Sequence, residues 1–266
     1  MSLRDQLMQT PSLEFDGNIF YHIGFPRSSQ FEEAYIALRK KENRLYDDEI
    51  VKGLPEIPKN HPLHIEWLHR KTSLKKLVTH MRNRNSNNLV LEIGCGNGWL
   101  SHKLSEEVGN EVCAMDINQT ELLQGARVFS TNTKVCFTCA DVFSLPKDFL
   151  SFNTIVLASS IQYFPDLKIL VNRMLKMLTP QGEIHIIDSP LYPSQEAVRL
   201  ARSRSESYFA SHGFPGMSTK YFHHPISDLT GFNYKYLFNP DSFMSRIVRR
   251  VSKMAQPVFP WIVIEP

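Results

Sequence analysis

The stretch LEIGCGNGWL, residues 91–100, places an acidic residue and three alternating glycines between apolar residues. The acid is Glu92, and the glycines are Gly94, Gly96 and Gly98. Glycine inside a regular element costs about 0.5–1 kcal/mol, so three of them in five residues indicate a backbone that turns tightly or lets another group approach closely. The apolar run before the glycines and the amphipathic pattern after them predict a strand, a tight loop and a helix.

Strand and helix patterns alternate along the chain after this loop. Apolar segments typical of strands occupy LVLEI, EVCAMDI, KVCFTCADV, FNTIVLASS and GEIHIID, and helical patterns separate most of them. This alternation predicts a parallel sheet with helices on both faces. Nearly continuous apolar strands also favour a sheet that is buried on both sides.

Acidic residues close three successive predicted strands. These residues are Glu92, Asp116 and Asp141. Ligands of open α/β sheets bind outside the carboxyl ends of the strands, so we expect the three carboxylates to meet at one ligand-binding edge. There Asp116 could accept hydrogen bonds from both hydroxyls of a ribose, and Asp141 could accept one from the amino group of an adenine that lies against Val142. Each acid alone could instead cap a helix or occupy an exposed turn.

A dinucleotide is the competing ligand for a glycine loop of this kind. It would require the spacing G-x-G-x-x-G, with the third glycine where the helix packs on the strand. Position 99 is Trp99, which is too large for that packing, and Glu92 would repel a pyrophosphate. The spacing therefore disfavours a nicotinamide-dependent oxidoreductase, which stays an alternative.

The chain resembles the class I S-adenosylmethionine-dependent methyltransferases over about residues 89–190, and more weakly to residue 266. The segment EIGCGNG is similar to the family's acidic residue followed by G-x-G-x-G, and Asp116 to its ribose-binding acid. ADV at 140–142 resembles the adenine-contacting segment, and ASSIQYF at 158–164 the segment that borders cofactor and substrate. Asn153 stands where the family commonly has Asp, but it opens its strand away from the ligand edge.

The resemblance implies an α/β Rossmann-like fold whose seven-stranded sheet is mostly parallel, with the last strand antiparallel. It also implies S-adenosyl-L-methionine as cofactor and methyl transfer as activity. A cofactor-binding protein of the same fold without transferase activity is the alternative. The implied cofactor-binding residues are Glu92, Gly94, Cys95, Gly96, Asn97, Gly98, Trp99, Asp116, Ile117, Asp141, Val142, Ala158 and Ser159.

No catalytic residue follows from the sequence. Transfer from a sulfonium requires mainly in-line orientation, which can supply roughly 7–11 kcal/mol, and a base only if the nucleophile starts protonated. Tyr163, Asp188 and the pair His223-His224 are candidates for substrate contact, whereas His185 is expected in the core. Nucleic-acid amino-methyltransferases usually carry an Asn or Asp, two prolines and an aromatic where this chain has Ser159-Ser160-Ile161-Gln162. A small-molecule substrate is therefore favoured over a nucleic acid.

Residues 1–88 match no family motif and are predicted to form a mainly helical N-terminal extension on the substrate side of the domain 89–266. Within the extension, Asp16-Gly17 indicates a hairpin turn and Ser29 with Glu32 a capping box. A helix is predicted over 62–82, with a buried stripe at Trp67, Leu74, Leu77, Val78 and Met81. A basic helix is predicted near 241–254, and residues 190–231, with their long irregular stretch, form a predicted cover insertion.

The composition is that of an ordinary globular protein. The 266 residues are 42% hydrophobic and 21% charged, and the net charge of +3 demands no polyanionic partner. The pair Cys136 and Cys139 lies in a predicted strand with no second ligand pair, so it indicates small buried side chains and no metal site. We expect a cytoplasmic protein without membrane association, because the chain lacks an 18-residue apolar run and its start lacks an apolar signal region. Nothing in the sequence indicates an oligomeric state.

Overall fold

A twisted sheet crosses the centre of the molecule in the computed structural model, which describes residues 1–26, 29–84, 89–243, 245 and 256–266. Its strands in the described ranges follow the order β1-β2-β5-β4-β3-β6-β7-β9-β8. They are β1 (Leu13–Phe15), β2 (Phe20–His22), β3 (Leu89–Ile93), β4 (Glu111–Asp116), β5 (Val135–Cys139), β6 (Phe152–Ala158), β7 (Leu178–Ile187), β8 (Asn233–Phe238) and β9 (Trp261–Glu265).

Helices cover both faces of this sheet. The α-helices described are α1 (Leu3–Met8), α2 (Gln30–Lys41), α3 (Asp48–Gly53), α4 (His64–Asn83), α5 (Trp99–Val108), α6 (Gln119–Val128), α7 (Leu167–Leu175) and α8 (Gln195–Ser211). Two apolar clusters fill the space between helices and sheet, one on each face. The α/β fold class predicted from the alternating pattern is therefore confirmed.

The centre of the sheet is parallel, as the apolar strands predict. Leu91 of β3 lies opposite Cys113 of β4 on one side and Ile155 of β6 on the other. All three side chains are fully buried, because helices cover both faces of these strands. Strands β3 to β9 alone follow the order β5-β4-β3-β6-β7-β9-β8, with β9 antiparallel to both of its neighbours.

The strand count of seven is wrong, since the described residues contain nine strands. The two additional strands are the predicted hairpin β1–β2, whose inner strand pairs parallel to β5 with Phe20 opposite Thr138. The Asp16 carboxylate accepts hydrogen bonds from the Asn18 and Ile19 amides, and Gly17 has a φ of 102°, which closes the turn. The N-terminal extension is thus mainly helical but also extends the sheet.

The helix predictions in the extension are confirmed with small changes. Ser29 caps α2 by accepting from the Glu32 amide, but the Glu32 carboxylate accepts from Thr120 instead of completing a capping box. Helix α4 begins at His64, two residues later than predicted, with Leu63 as its cap residue. The predicted stripe of α4 is buried, from Trp67 to Met81.

The predictions near the C-terminus differ in outcome. Most of the proposed basic helix 241–254 lies outside the described residues. Between Pro190 and Gly231 the chain forms α8 and then two short 3₁₀ helices, Pro215–Lys220 and Ile226–Leu229. The stretch expected to be irregular therefore contains local helical turns, which short-range hydrogen bonds stabilise without a long-range periodic pattern.

Candidate functional site

A cavity of 1190 Å³ opens at the carboxyl ends of the central strands. The loops after β3, β4, β5 and β6 form its floor, the N-terminal extension forms one wall, and residues from 190–231 form another. Ligand pockets typically measure about 300–1,000 Å³, so this cavity has room for more than one small ligand.

The glycine loop between β3 and α5 requires its glycines for backbone and packing reasons. Gly94, Gly96 and Gly98 have positive φ values of 76°, 54° and 69°. A Cβ atom on Gly94 would lie 2.5 Å from the Ser160 Cβ, and one on Gly98 would lie 2.4 Å from the Phe137 ring. Gly96 is different, because its Cβ would meet only the Glu121 carboxylate at 3.5 Å. Gly94 and Gly96 line the cavity, whereas Gly98 packs behind the loop.

Asp116 at the end of β4 ties the glycine loop to its neighbouring strand. One carboxylate oxygen accepts from the Gly96 amide at 2.7 Å, and the other from the Asn118 amide at 2.8 Å. Burial raises the pKa of Asp116, while these backbone hydrogen bonds lower it. An ionised carboxylate has about four acceptor positions, so Asp116 can also accept from a ligand in the cavity that it lines.

Two further carboxylates lie buried beside Asp116. Burial raises the pKa of Glu92 to about 8, although Ser101 donates a 2.5 Å hydrogen bond to its carboxylate. Burial and the Asp116 charge together raise the pKa of Glu121 to about 7. In the described part of the chain, no basic side chain forms an ion pair with Glu92, Asp116 or Glu121. This end of the cavity therefore favours a cationic ligand.

Glu121 was missed by sequence reasoning. It lies in the first turn of α6, where acidic residues are common because they favour the helix N-terminus. Its spacing of five residues from Asp116 was the available signal, since the first turn of the helix after a strand faces the same edge as the strand end.

The predicted adenine-contacting segment lies next to an apolar surface. Val142 is buried and Ile117 is 41% exposed, and both line the cavity together with Asp141. Asp141 accepts from the Phe143 amide at 3.0 Å, which leaves its second carboxylate oxygen for other partners. Cys95, Asn97, Trp99, Ala158 and Ser159 line the same cavity, so every predicted cofactor-binding residue except Gly98 borders it.

The backbone is strained where β6 and β7 reach the cavity. Ser159 and Asp188 follow these strands with φ values of 55° and 51°, which non-glycine residues rarely adopt. The Ser159 hydroxyl donates to the Asp188 carbonyl at 2.8 Å, and the Ser73 hydroxyl donates to the Asp188 carboxylate at 2.6 Å. Backbone strain of this kind costs on the order of 1–3 kcal/mol and is concentrated at functional sites.

The candidates for substrate contact fall into two groups. Tyr163 and Asp188 line the cavity. His223 and His224 are not among its lining residues, and their rings contact the Tyr192 hydroxyl and the Ile161 carbonyl. Their candidacy for substrate contact therefore gains no support from the cavity lining. His185 is fully buried in β7, as expected for a core histidine.

Gln162 presents a buried polar atom without a protein partner. Its side chain is 7% exposed and lines the cavity. The amide nitrogen donates to the Ser159 carbonyl, which fixes the orientation of the amide, and no described group donates to the Oε1 atom. A buried acceptor that lacks a donor costs about 1–3 kcal/mol, so this atom fits an N–H or O–H group of a ligand.

Arginine residues of the N-terminal extension also line the cavity, and sequence reasoning missed them. Arg39 contacts Glu42 at 3.1 Å, Arg44 contacts Glu42 at 3.5 Å, and Arg44 forms a bidentate pair with Glu66 at 2.8 and 2.7 Å. Glu66 also pairs with Arg70 at 3.0 Å, and the two arginines lower its pKa to about 2 against the effect of burial. All five side chains line the cavity.

Aromatic rings support both walls. Trp99 of the glycine loop packs edge-on against Trp67 of α4 with ring centroids 5.1 Å apart. The Trp67 indole N–H donates to the Tyr46 hydroxyl at 2.8 Å. This packing explains why a tryptophan is accommodated where a dinucleotide loop has glycine, since α4 of the extension covers the start of α5.

One group outside the cavity has the composition of a metal site. His80, Glu183 and His185 lie together between α4 and β7. The Trp261 indole donates to the His185 Nδ1 atom at 3.1 Å, so the proton of the neutral imidazole is on Nε2, facing Glu183. Arg84 also pairs with Glu183 at 2.8 Å. A protonated ring nitrogen and a guanidinium disfavour a cation, so this group is a buried polar network.

No helix in the described ranges is both long enough and apolar enough to cross a lipid bilayer. The four cysteines are buried and carry free thiols. Burial raises the pKa of Cys136 to about 11, so it behaves as a small apolar side chain, as predicted.

The described residues fit S-adenosylmethionine on three observations. The buried carboxylates at the ends of β3 and β4 lack basic partners and suit a ligand with a sulfonium and an ammonium group. Asp116 has unused acceptor positions for ribose hydroxyls, and the exposed face of Ile117 beside Val142 suits an adenine ring. The Gln162 Oε1 atom lacks a donor that a ligand could provide.

Comparisons with known proteins agree with this geometry. Residues 90–182 match a family model described as a methyltransferase domain. A malonyl-[acyl-carrier protein] O-methyltransferase of Erwinia billingiae is 28% identical over 95 residues, which are 36% of this chain and 36% of that protein. A 2-phytyl-1,4-beta-naphthoquinone methyltransferase of Arabidopsis thaliana is 27% identical over 106 residues, which are 37% of this chain and 41% of the relative. The matched segments thus cover well under half of these relatives.

The fold also matches solved structures over most of its length. The plantazolicin methyltransferase BpumL, solved with a triazolic desmethylPZN analogue and SAH, superposes with a TM-score of 0.53 at 15% identity. The superposition covers 88% of this chain and 96% of that one. At this identity the match establishes the fold. The family model places the similarity to a methyltransferase domain in residues 90–182, within this fold.

Proposed function

We propose that this protein transfers a methyl group from S-adenosylmethionine to a small-molecule acceptor. One observation carries the proposal: three buried carboxylates without basic partners, Glu92, Asp116 and Glu121, surround a glycine loop at the carboxyl ends of the strands. Buried charges normally have partners, so a cationic ligand is the missing partner that this arrangement suits.

Residues of this chain have distinct roles in the proposal. Asp116 would hold the ribose hydroxyls while keeping the glycine loop in place through Gly96. Asp141 and Val142 would contact the adenine from the end of β5. Glu92 and the Gln162 Oε1 atom would face the amino-acid part of the cofactor, where an ammonium group supplies the donors that Gln162 lacks.

The bound cofactor supplies a methyl group that the sulfonium charge already activates and that leaves a neutral thioether behind. The protein therefore has to align the acceptor atom and exclude water, and orientation can provide roughly 7–11 kcal/mol. Tyr163 and Asp188 are positioned for this, because both line the cavity where β6 and β7 end. Residues 190–231 would cover the acceptor, since Phe209, Met217 and Tyr221 of this segment line the cavity.

A small acceptor is favoured by the protein walls that border the cavity. Residues of the extension and of 190–231 line the space together with the cofactor-binding edge. The matched relatives differ in substrate by name, from an acyl-carrier-protein conjugate to a naphthoquinone, so they support the reaction type and leave the acceptor open.

Thermal unfolding with candidate cofactors tests the cofactor part of the proposal. S-adenosylmethionine or S-adenosylhomocysteine at 100-fold above the dissociation constant should stabilise the protein by about 2.7 kcal/mol. For a chain of this size that is a rise of roughly 5–10 °C in Tm. NAD at equal concentration should give no shift. A shift with NAD and none with either sulfur nucleoside would contradict the proposal.

The alternative is a protein that binds the cofactor without transferring its methyl group. Incubation with methyl-labelled S-adenosylmethionine and a metabolite panel separates the two. Label recovered in a small molecule supports the transferase, whereas cofactor binding without transfer to any pool of acceptors supports the alternative.

A further inference from the structure

The part of the cavity beside Arg39 and Tyr163, here called the acceptor side because it would bind the methyl acceptor, is rich in hydrogen-bond donors. The Arg39 guanidinium donates to the Tyr163 hydroxyl at 2.8 Å and lies over the Tyr35 ring at 4.8 Å. The Tyr163 hydroxyl also has the Tyr35 hydroxyl as a hydrogen-bond partner, which lowers the pKa of Tyr163 against the effect of burial. Burial raises the pKa of Tyr163 and of Tyr35, so both phenols stay protonated and act as donors.

The wall that carries this cluster has an excess of positive charge. Arg39, Arg44 and Arg70 alternate with only two carboxylates, Glu42 and Glu66. Arg44 contacts both carboxylates, so the excess positive charge lies towards the two ends of this row of side chains, at Arg39 and Arg70. Arg39 forms one of these ends, and its carboxylate partner Glu42 also accepts from Tyr208 at 2.6 Å.

The cavity thus carries charges of both signs. Glu92, Asp116 and Glu121 form no ion pair with a described basic side chain, although Arg39 lies near enough to Glu121 to lower its pKa against the effect of burial. Arg39 itself shares Glu42 with Arg44. Lys220, from the 3₁₀ helix Pro215–Lys220, also lines the cavity. A ligand that complements the acceptor side carries negative charge.

Aromatic rings bound the same space. The Tyr163 ring packs edge-on against Tyr35 at 5.9 Å and against Tyr221 at 5.8 Å, and Phe209 contacts Tyr221 at 5.6 Å. Edge-on and offset contacts of this kind favour a further flat ring, because the edges and faces of aromatic groups carry opposite partial charges.

We propose that the methyl acceptor is a planar aromatic carboxylate whose anionic group binds to Arg39 and the Tyr163 hydroxyl. The inference rests on the proposed function, because it takes the part of the cavity beside Glu92 and Asp116 as the cofactor site. A guanidinium with a phenol beside it matches the two oxygens of a carboxylate, and charge-assisted hydrogen bonds of this type are about twice as strong as neutral ones.

The experiment uses three probes of one shape and different charge: 1-naphthoate, 1-naphthamide and 1-naphthylmethylammonium. Each is titrated by calorimetry into the full-length protein saturated with S-adenosylhomocysteine. Naphthoate should bind at least about tenfold more tightly than naphthamide, which corresponds to about 1.4 kcal/mol, and the ammonium probe should bind most weakly. Equal affinity for the three probes, or no naphthoate binding, would overturn the inference.

Variants locate the charge that makes the discrimination. Arg39→Met should bring naphthoate and naphthamide to within about threefold of each other, and Tyr163→Phe should reduce the difference in part. Arg39→Gln also removes the charge and serves as the second variant if Arg39→Met does not fold. Arg127→Met, which removes an exposed guanidinium paired with Asp48, is the matched control and should keep the full preference. Loss of the preference in the control, or its retention in Arg39→Met, would contradict the role of Arg39.

The same titrations separate this inference from the proposed function. Unchanged S-adenosylhomocysteine affinity in Arg39→Met, with the naphthoate preference lost, supports both. A wild-type protein that binds S-adenosylhomocysteine but does not prefer naphthoate contradicts only the acceptor class. Failure of the wild-type protein to bind S-adenosylhomocysteine contradicts the proposed function itself.

Discussion

The Gly96 amide donates a 2.7 Å hydrogen bond to the Asp116 carboxylate. This bond joins the loop after β3 to the end of β4, and the Asn118 amide occupies the second oxygen at 2.8 Å. One side chain thus fixes the glycine loop and remains in the cavity as an acceptor. A change at Asp116 should therefore affect both the conformation of the glycine loop and the binding of a ligand.

Asp116→Ala should lower the affinity for S-adenosylhomocysteine by at least about tenfold, because hydrogen bonds to charged groups contribute about 1.5–3 kcal/mol each. Asp116→Asn retains one acceptor oxygen and should show a smaller loss. Calorimetry with both variants measures the effect, and thermal unfolding without ligand reports how much of it is loop disorder. An affinity for Asp116→Ala equal to that of wild type would remove this residue from the cofactor site.

Gly125→Ala should destabilise the protein although the residue lies in a helix, where alanine is normally preferred. A Cβ atom on Gly125 would lie 2.4 Å from the Asn97 carbonyl oxygen and 2.6 Å from the Phe137 ring. Overpacking of this kind costs about 1–3 kcal/mol, which urea denaturation should measure as a lower midpoint. Gly53→Ala is the control, since its Cβ would meet no atom within 4 Å. Equal stability of the two variants would contradict close packing at Gly125.

Cofactor affinity should rise with pH through the neutral range. The pKa of Glu121 is about 7 and that of Glu92 is about 8 before ligand binding. A bound cation favours the ionised carboxylates and lowers both pKa values, so protons are released on binding. Affinity therefore increases as pH rises towards about 8 and levels off above it, where both groups are already ionised.

Calorimetry of S-adenosylmethionine binding at pH 7, in buffers of different ionisation enthalpy, should detect this proton release. Glu121→Gln removes one of the two titrating groups and should flatten the pH dependence. Proton uptake on binding, or an unchanged slope in Glu121→Gln, would show that other groups control the effect.

The cover formed by residues 190–231 should affect the acceptor more than the cofactor. Met217→Ala with Tyr221→Ala truncates two side chains of this segment that line the cavity. Affinity for S-adenosylhomocysteine should stay within about threefold of wild type, whereas 1-naphthoate should bind at least about tenfold more weakly. A larger loss for S-adenosylhomocysteine than for naphthoate would place the segment in the cofactor site instead. Replacing all of 214–224 would also disturb the cofactor side, because the Phe222 amide donates to the Gln162 carbonyl at 2.7 Å.

Structural features that depend only on residues close together in the sequence could be predicted. The hairpin at Asp16-Gly17, the cap at Ser29 and the buried stripe of α4 follow from turn chemistry, capping and helical period. The capping box failed at Glu32 because Thr120, 88 residues away, provides a competing donor. Long-range partners of this kind leave no periodic signal.

The sequence by itself determined the α/β class, the glycine loop and the acids that end successive strands. These features are local: a strand, a turn and a helix each carry their own pattern, and parallel strands bring their carboxyl ends to one edge. The tertiary structure alone decided that β2 pairs with β5, which makes nine strands. It also brought Arg39 to Tyr163 across 124 residues. Such pairings depend on how the extension packs on the sheet, because burial of apolar surface and hydrogen bonding between distant segments select the partners, and no segment encodes them alone.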